Sequence, residues 1–528
     1  MGKAFKQAQL PRISLGSLFE KILNYLQSLA SAWDFSCDVT IINLFGRVMV
    51  FNSFQFAIFF VAVVGLYFTI PHRYRWMMSL AASYYFYMCW KVEYIVLIAA
   101  STLIAYYAGL QMAKTPGREA KKKYLLLSLT TNLGILFFFK YFNFVSDSVQ
   151  NAFNAVNIFY NTPTFDVLLP VGISFYTFQT LSYTIDVYKD SARVEKHLGI
   201  FALFVAFWPQ LVAGPIERTA HLLPQFRQAH SFDYKRVTNG LRRMLWGLFK
   251  KVVIADQLAI YVNRVYNHVD DYQGATFIVA TIFFAIQIYC DFSGYSDMAI
   301  GAARVMGYDL VENFKRPYFS KSVREFWQRW HISLTSWFRD YIYIPLGGNR
   351  VVKWRWYYNL MVTFLLSGLW HGANWTFLIW GALHGCYLVM ETVTGDFVHR
   401  MAVKLFPDEQ SFFNKAFRVL ITLSLVCFAW IFFRANTVGD ALSIITKIFV
   451  INTGKTGLYV AGKFSFMMSI VLILILIGVH LKERRIRFDH YMERLPLMVR
   501  WMAYTAAVWA IVISGIFGVK QEFIYFQF

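Results

Sequence analysis

The stretch SGLWHGANW, residues 367–375, sets His371 between two tryptophans inside an otherwise apolar segment. A neutral imidazole can take a proton from a hydroxyl and return it to a leaving group, so it suits general base and acid work. Read as a continuous helix, the segment puts Ser367, His371, Asn374 and Trp375 on one face. A lone buried histidine in a soluble protein is more often a satisfied core residue. Within a membrane span, an ionisable group is a functional hypothesis by default.

A second candidate cluster precedes it. SVREFWQRWHISLTSWFRDYIYIPLGGNR, residues 322–350, surrounds His331 with Arg324, Arg329, Arg339 and Arg350, among Trp327, Trp330 and Trp337, with Asp340 next to Arg339. A helical reading puts Trp327 and His331 on one face and Arg324 one turn earlier. Guanidiniums fixed by aromatic neighbours suit a phosphate-rich ligand such as a coenzyme; the plainer reading is an interfacial anchor of Trp and Arg. A third cluster, QIYCDFSGYSDMAIG at 287–301, carries Asp291 and Asp297 at the end of a long apolar run, with Gly294, Ala299 and Gly301 small enough for close helix contact. Its acids either shape a site or pair with arginines. His384 reads as a bond across helices and His480 as interfacial.

These residues need a scaffold, and the composition names its solvent. Of 528 residues 57% are hydrophobic and only 15% charged, far more apolar than a soluble domain. Runs such as FNSFQFAIFFVAVVGLYFTI, residues 51–70, and FSFMMSIVLILILIGVH, residues 464–480, are long enough to cross a bilayer. The chain reads as an all-α polytopic membrane protein with about eleven spans. The net charge of +21 is scattered over short loops rather than gathered in a stripe, which argues for positive-inside topology and against nucleic acid. Five scattered cysteines without a CxxC pair, and no HExxH motif, give no sign of a disulfide or metal site.

Residues 1–48 form an extension whose Leu15, Leu18, Phe19, Ile22, Leu23, Leu26 and Leu29 make one stripe, as in an amphipathic helix lying on the membrane; residues 49–528 form the membrane domain. The basic loop 114–123 is expected in the cytoplasm, as are 235–251, 304–355 and 482–487, and a last span near 500–518 leaves the C-terminus outside. LLPVGISFYTFQTLSYTIDVY, residues 168–188, is too polar to face lipid and suits the wall of an internal site, while Pro209, Gly214 and Pro215 should break a span.

Taken together and in this order, YCDFSGYSDMAIG, ENFKRPY, FWQRWHISLTSWFRDYIYIPLGGNR and SGLWHGANWTFLIWGALHG resemble the membrane-bound O-acyltransferases, within them the bacterial polysaccharide-acetylating group. The resemblance covers about residues 49–520. It implies a ring of helices, with re-entrant and interfacial ones, around a central tunnel, in a bacterial cytoplasmic membrane. It also implies catalytic roles for His371 and His331, with Arg324, Trp327, Arg329, Trp330, Arg339, Asp340, Asn374, Ser367, Asp291 and Asp297 about the substrates. Acetyl-CoA would be the acyl donor, with no tightly bound cofactor. The partner would be an extracytoplasmic serine-hydrolase-like enzyme that esterifies a polysaccharide. Rival readings are D-alanyl transfer from a carrier protein to teichoic acid, a transporter with the histidines as a proton relay, and a noncatalytic scaffold.

Overall fold

The computed structural model describes residues 49–158, 163–165, 169–212, 214–405, 408, 411–450, 459–483, 488–515 and 523–524; the side chains of 396–405 and 489 are also outside the description. The extension 1–48, expected to carry an amphipathic helix, lies outside the described residues.

The described residues are mainly helical and hold no strand; the principal helices run in the order α1 (Phe54–Thr69), α2 (His72–Met88), α3 (Ile95–Lys114), α4 (Arg118–Ala155), α5 (Ile173–Tyr188), α6 (Leu198–Ala206), α7 (Tyr234–Leu248), α8 (Asp256–Tyr266) and α9 (Ala275–Met306). There follow α10 (Val323–Trp327), α11 (Ile332–Phe338), α12 (Lys353–His371), α13 (Trp375–Leu405), α14 (Phe412–Arg434), α15 (Val438–Ile448), α16 (Lys463–Lys482), α17 (Phe488–Arg494) and α18 (Leu497–Ser514). Seven described helices, namely the one spanning Val92–Lys114 and α4, α9, α13, α14, α16 and α18, are long and apolar enough to cross a membrane. The expected span at 51–70 is the shorter apolar α1, of 16 residues.

In a bilayer, buried polar side chains must find partners within the bundle. Asn132 on α4 does so for three helices at once. Its Oδ1 accepts from Ser101 of α3 and, at 3.3 Å, from Thr180 of α5, while its amide donates to the Ser128 carbonyl at 2.9 Å. Thr177, Gln179 and Ser182 of α5 are buried, in keeping with the internal position expected of that segment.

Close helix contact depends on glycine at two crossings. On α7 and α9, a Cβ at Gly247 would lie 2.6 Å from the Gly294 carbonyl oxygen, and one at Gly240 would lie 2.7 Å from that of Gly301. Backbone thus meets backbone at two levels along the pair, as the small residues of 294–301 suggest. A second tight crossing joins α12 to α13, where a Cβ on Gly368 would sit 2.3 Å from the Phe377 carbonyl oxygen.

Two expectations need correction. Asp291 and Asp297 lie within the 32-residue α9, rather than at the end of a span. Lys250 and Lys251 are buried rather than cytoplasmic loop charges: a π-helical segment, Phe249–Ala255, turns them inward, where Lys251 pairs with Asp256 at 2.8 Å and Asp291 at 2.7 Å. At the C-terminal end, the Ile524 amide donates to Asp291 Oδ2 at 2.8 Å and Phe523 packs on Tyr295, so this part of the tail returns to the protein core.

Candidate active site

The two histidines do not sit in mid-helix. α10 stops at Trp327, His331 takes left-handed backbone angles (φ 42°, ψ 55°), and α11 begins at Ile332. The helical face expected for Arg324, Trp327 and His331 is therefore replaced by a break. The left-handed region is costly for a residue with a side chain and persists only where the surroundings hold it. Here the holder is Asn313. Its carbonyl oxygen accepts from Ile332 N at 2.9 Å, and its Oδ1 accepts from Ser333 Oγ at 2.6 Å.

His371 is the last residue of α12. Gly372 is extended, and Asn374 Oδ1 accepts from Thr376 N at 3.1 Å at the start of α13. The single helical face expected for Ser367, His371, Asn374 and Trp375 is thus broken. Ser367 and His371 share α12, Asn374 serves the next helix, and Trp375 is half exposed.

The breaks bring both histidines against one indole. Trp370 has ring centroids 5.8 Å from His331 and 4.9 Å from His371. His331 also lies edge-on to Phe292 at 4.6 Å. Around His371, Trp380 and Phe433 close the other sides at 4.9 and 5.4 Å. Both imidazoles are buried.

A cavity of about 300 Å³ lies along α12, and neither histidine is part of its lining. Arg324, Trp327, Phe338, Arg339, Tyr343 and Ser367 are among the residues that line it. Its depth is apolar, and Ser367 lies four residues before His371, about 6 Å along a helix. At the mouth, Arg324 and Arg339 keep 52% and 62% of their side chains exposed while lying 3.8 Å from Glu391 and 2.8 Å from Asp340. The loop at the mouth turns through Gly347 and Gly348, both at positive φ, and Asn359 Nδ2 donates to the carbonyls of Leu346 and Gly348 at 3.1 and 2.9 Å.

The other expected residues divide by position. Asp340 fixes the mouth: it meets Arg339 Nε at 2.8 Å and Arg218 at 3.1 Å. Trp327 joins cavity to core by donating Nε1–H to His384 Nδ1 at 3.2 Å, and His384 packs on Trp380, the neighbour of His371. His384 therefore bonds across helices as expected. Arg329 pairs with Glu325, and Trp330 is buried between Phe326 and Trp430; neither lines the cavity. Asp291 and Asp297 are engaged by Lys251 and by Arg243 and Lys250, away from the cavity. His480, expected at an interface, is buried and bonded to Tyr289 at 3.0 Å.

One residue escaped the sequence reading. Lys140, in a π-helical turn of α4 (Phe137–Tyr141), donates to the carbonyl oxygens of Trp370 at 2.7 Å and His371 at 3.3 Å. A helix C-terminus carries partial negative charge on its unsatisfied carbonyls, and a cation there is favourable.

Comparison with known proteins bears on the same residues. Residues 76–432, which hold both histidines and the cavity, match the membrane-bound O-acyltransferase family model. The chain belongs to the membrane-bound O-acyltransferase family. It is 40% identical over 407 residues, 76% of this chain and 78% of the relative, to a probable alginate O-acetylase of Azotobacter vinelandii. A similar relative in Pseudomonas aeruginosa is 41% identical over 414 residues, 77% of this chain and 76% of the other. A peptidoglycan O-acetyltransferase of Helicobacter pylori is 33% identical over 448 residues, covering 78% and 82%. Membership of this O-acyltransferase family makes the chain a multi-pass membrane enzyme that transfers acyl groups to oxygen.

Proposed function

We propose that the enzyme takes acetyl from cytoplasmic acetyl-CoA and delivers it, across a bacterial cytoplasmic membrane, for O-acetylation of an extracytoplasmic polysaccharide. The observation that carries this reading is the apolar cavity with two exposed arginines at its mouth and Ser367 at its inner end, one turn from His371. Arginine forks match phosphate geometry, and the apolar slot fits the uncharged arm of a thioester. Relatives that acetylate alginate and peptidoglycan support a polysaccharide as the final acceptor.

In this mechanism His371 removes the proton from an acceptor hydroxyl as its oxygen attacks the thioester carbonyl. His331, donating its ring N–H, stabilises the negative charge that develops on the carbonyl oxygen. The C–S bond then breaks, the ester is formed, and the proton held by His371 passes to the departing thiolate. Coenzyme A acts as a substrate, and no resident cofactor takes part. A serine-hydrolase-like partner outside the membrane receives the acetyl group and passes it to the polymer.

The test is to incubate the purified chain with acetyl-CoA labelled in the acetyl group, with and without such a partner. Label on the partner or polymer supports the reading. Absence of acetyl-CoA binding by the wild-type chain contradicts it and favours a carrier-protein donor.

A further inference from the structure

A second cavity, of about 410 Å³, lies between the later half of α9, the segment 312–316 and the end of α16. It is distinct from the slot that leads to Ser367, and it is far more polar. Arg243 and Lys250 are held by carboxylates within its wall. Arg243 reaches Glu312 at 2.7 Å and Asp297 at 2.8 Å, and Lys250 Nζ lies 2.6 Å from Asp297 Oδ2 and 2.8 Å from Ser293 Oγ. Lys315, Arg316 and Glu483 complete the charged lining, so cations outnumber carboxylates four to three.

The neutral groups add donors. Asn313 is 1% exposed, and its Oδ1 is taken by the Ser333 amide and hydroxyl, which fixes the direction of the side-chain amide. Its Nδ2 has no hydrogen-bond partner among the described residues, nor has Ser296 Oγ, in a side chain 2% exposed. Leaving buried donors without partners is costly, and such groups mark places where a ligand or water completes the set. Trp246 and Phe488, stacked at 4.9 Å, give the same cavity an apolar side where α17 follows the expected cytoplasmic basic loop.

We propose that this cavity binds a phosphate group, carried by a phospholipid headgroup or as free phosphate. Lys315 and Arg316 supply the charge, and Asn313 Nδ2 and Ser296 Oγ donate hydrogen bonds to the phosphate oxygens. Asn313 also holds the left-handed turn at His331 through Ile332 N and Ser333, so a bound phosphate steadies one wall of the catalytic centre.

The experiment uses the full-length chain, delipidated in an uncharged detergent, titrated with dioleoylphosphatidylglycerol and separately with inorganic phosphate. Bound ligand is read by native mass spectrometry for wild type, the Lys315→Gln/Arg316→Gln double variant and Ser296→Ala. Saturable one-to-one binding by wild type is expected, weakened about tenfold in the double variant and about threefold in Ser296→Ala, as lost charge-assisted bonds require. Lipid that inorganic phosphate does not displace assigns the source to the bilayer, and displacement assigns it to free phosphate. Equal binding by all three proteins, or no saturable binding of either probe, overturns the proposal. Ser296→Ala deletes one hydroxyl and keeps the inference testable if the double variant folds poorly.

Discussion

Lys140 Nζ lies 2.7 Å from the carbonyl oxygen of Trp370, the residue whose indole both histidines pack against, and 3.3 Å from that of His371. An ammonium on these carbonyls fixes the end of α12 and hence the direction of the imidazole. Charge-assisted bonds of this kind contribute about 1.5–3 kcal/mol. Lys140→Met is therefore expected to lower kcat by about 10- to 100-fold while leaving KM for the donor nearly unchanged. Steady-state kinetics beside a thermal unfolding curve checks this; equal losses in KM and folding would show a merely structural role.

In the proposed mechanism the mouth arginines act on the donor and not on chemistry. Arg324→Gln combined with Arg339→Gln should raise KM for acetyl-CoA by about tenfold, with kcat within about twofold of wild type. The wild-type KM should also rise with salt, and that dependence should flatten in the variant. An unchanged KM would move the donor site elsewhere.

The α12–α13 crossing leaves no room for a methyl group at Gly368, where a Cβ would lie 2.3 Å from the Phe377 carbonyl oxygen. Gly368→Ala should cost about 2 kcal/mol, the usual scale for overpacking, because backbone rather than a flexible side chain must give way. Gly134, with nothing within 4 Å of its added Cβ, is the control. The lowered unfolding temperature should appear only for the first substitution.

These contacts show where sequence patterns were sufficient. Hydropathy and the small residues of 294–301 were enough for the membrane class and for the close packing of α9, since both depend on local composition. Ser367, Arg324 and Arg339, which the sequence places in two separate clusters, line one cavity. The helical periods through 324–331 and 367–375 failed because tertiary contacts decide the breaks: Asn313 holds the turn at His331, and Asn374 starts a new helix. Lys140 carried no readable signal, since a single lysine in an apolar run could as well lie near a span end, and only the fold places it 230 residues away in sequence against Trp370. Asp291 and Asp297 were ambiguous between site and ion pair. Lys251, Lys250 and Arg243 decide for ion pairs.

Outside the spans, Glu217 and His221 form a pH-sensitive contact at 2.6 Å. The carboxylate raises the His221 pKa above 6.5, and burial raises that of Glu217 above 4.5. Both groups hold protons more tightly in the folded chain, so the folded state binds more protons than the unfolded one. Stability from these groups is therefore full at low pH and falls as pH rises from about 4.5 through the raised His221 value. His221→Gln should remove the upper part of that slope, measured as unfolding temperature between about pH 5 and pH 8.

Transfer of label by His371→Ala tests the central claim most directly. Wild type, His371→Ala and His331→Ala, each folded by its thermal curve, are incubated with acetyl-labelled acetyl-CoA and an acceptor partner, and label on the acceptor is counted. The account predicts that His371→Ala still binds acetyl-CoA but loses transfer by at least about 100-fold, the scale of a missing general base, with His331→Ala also impaired. Full transfer by His371→Ala would contradict it.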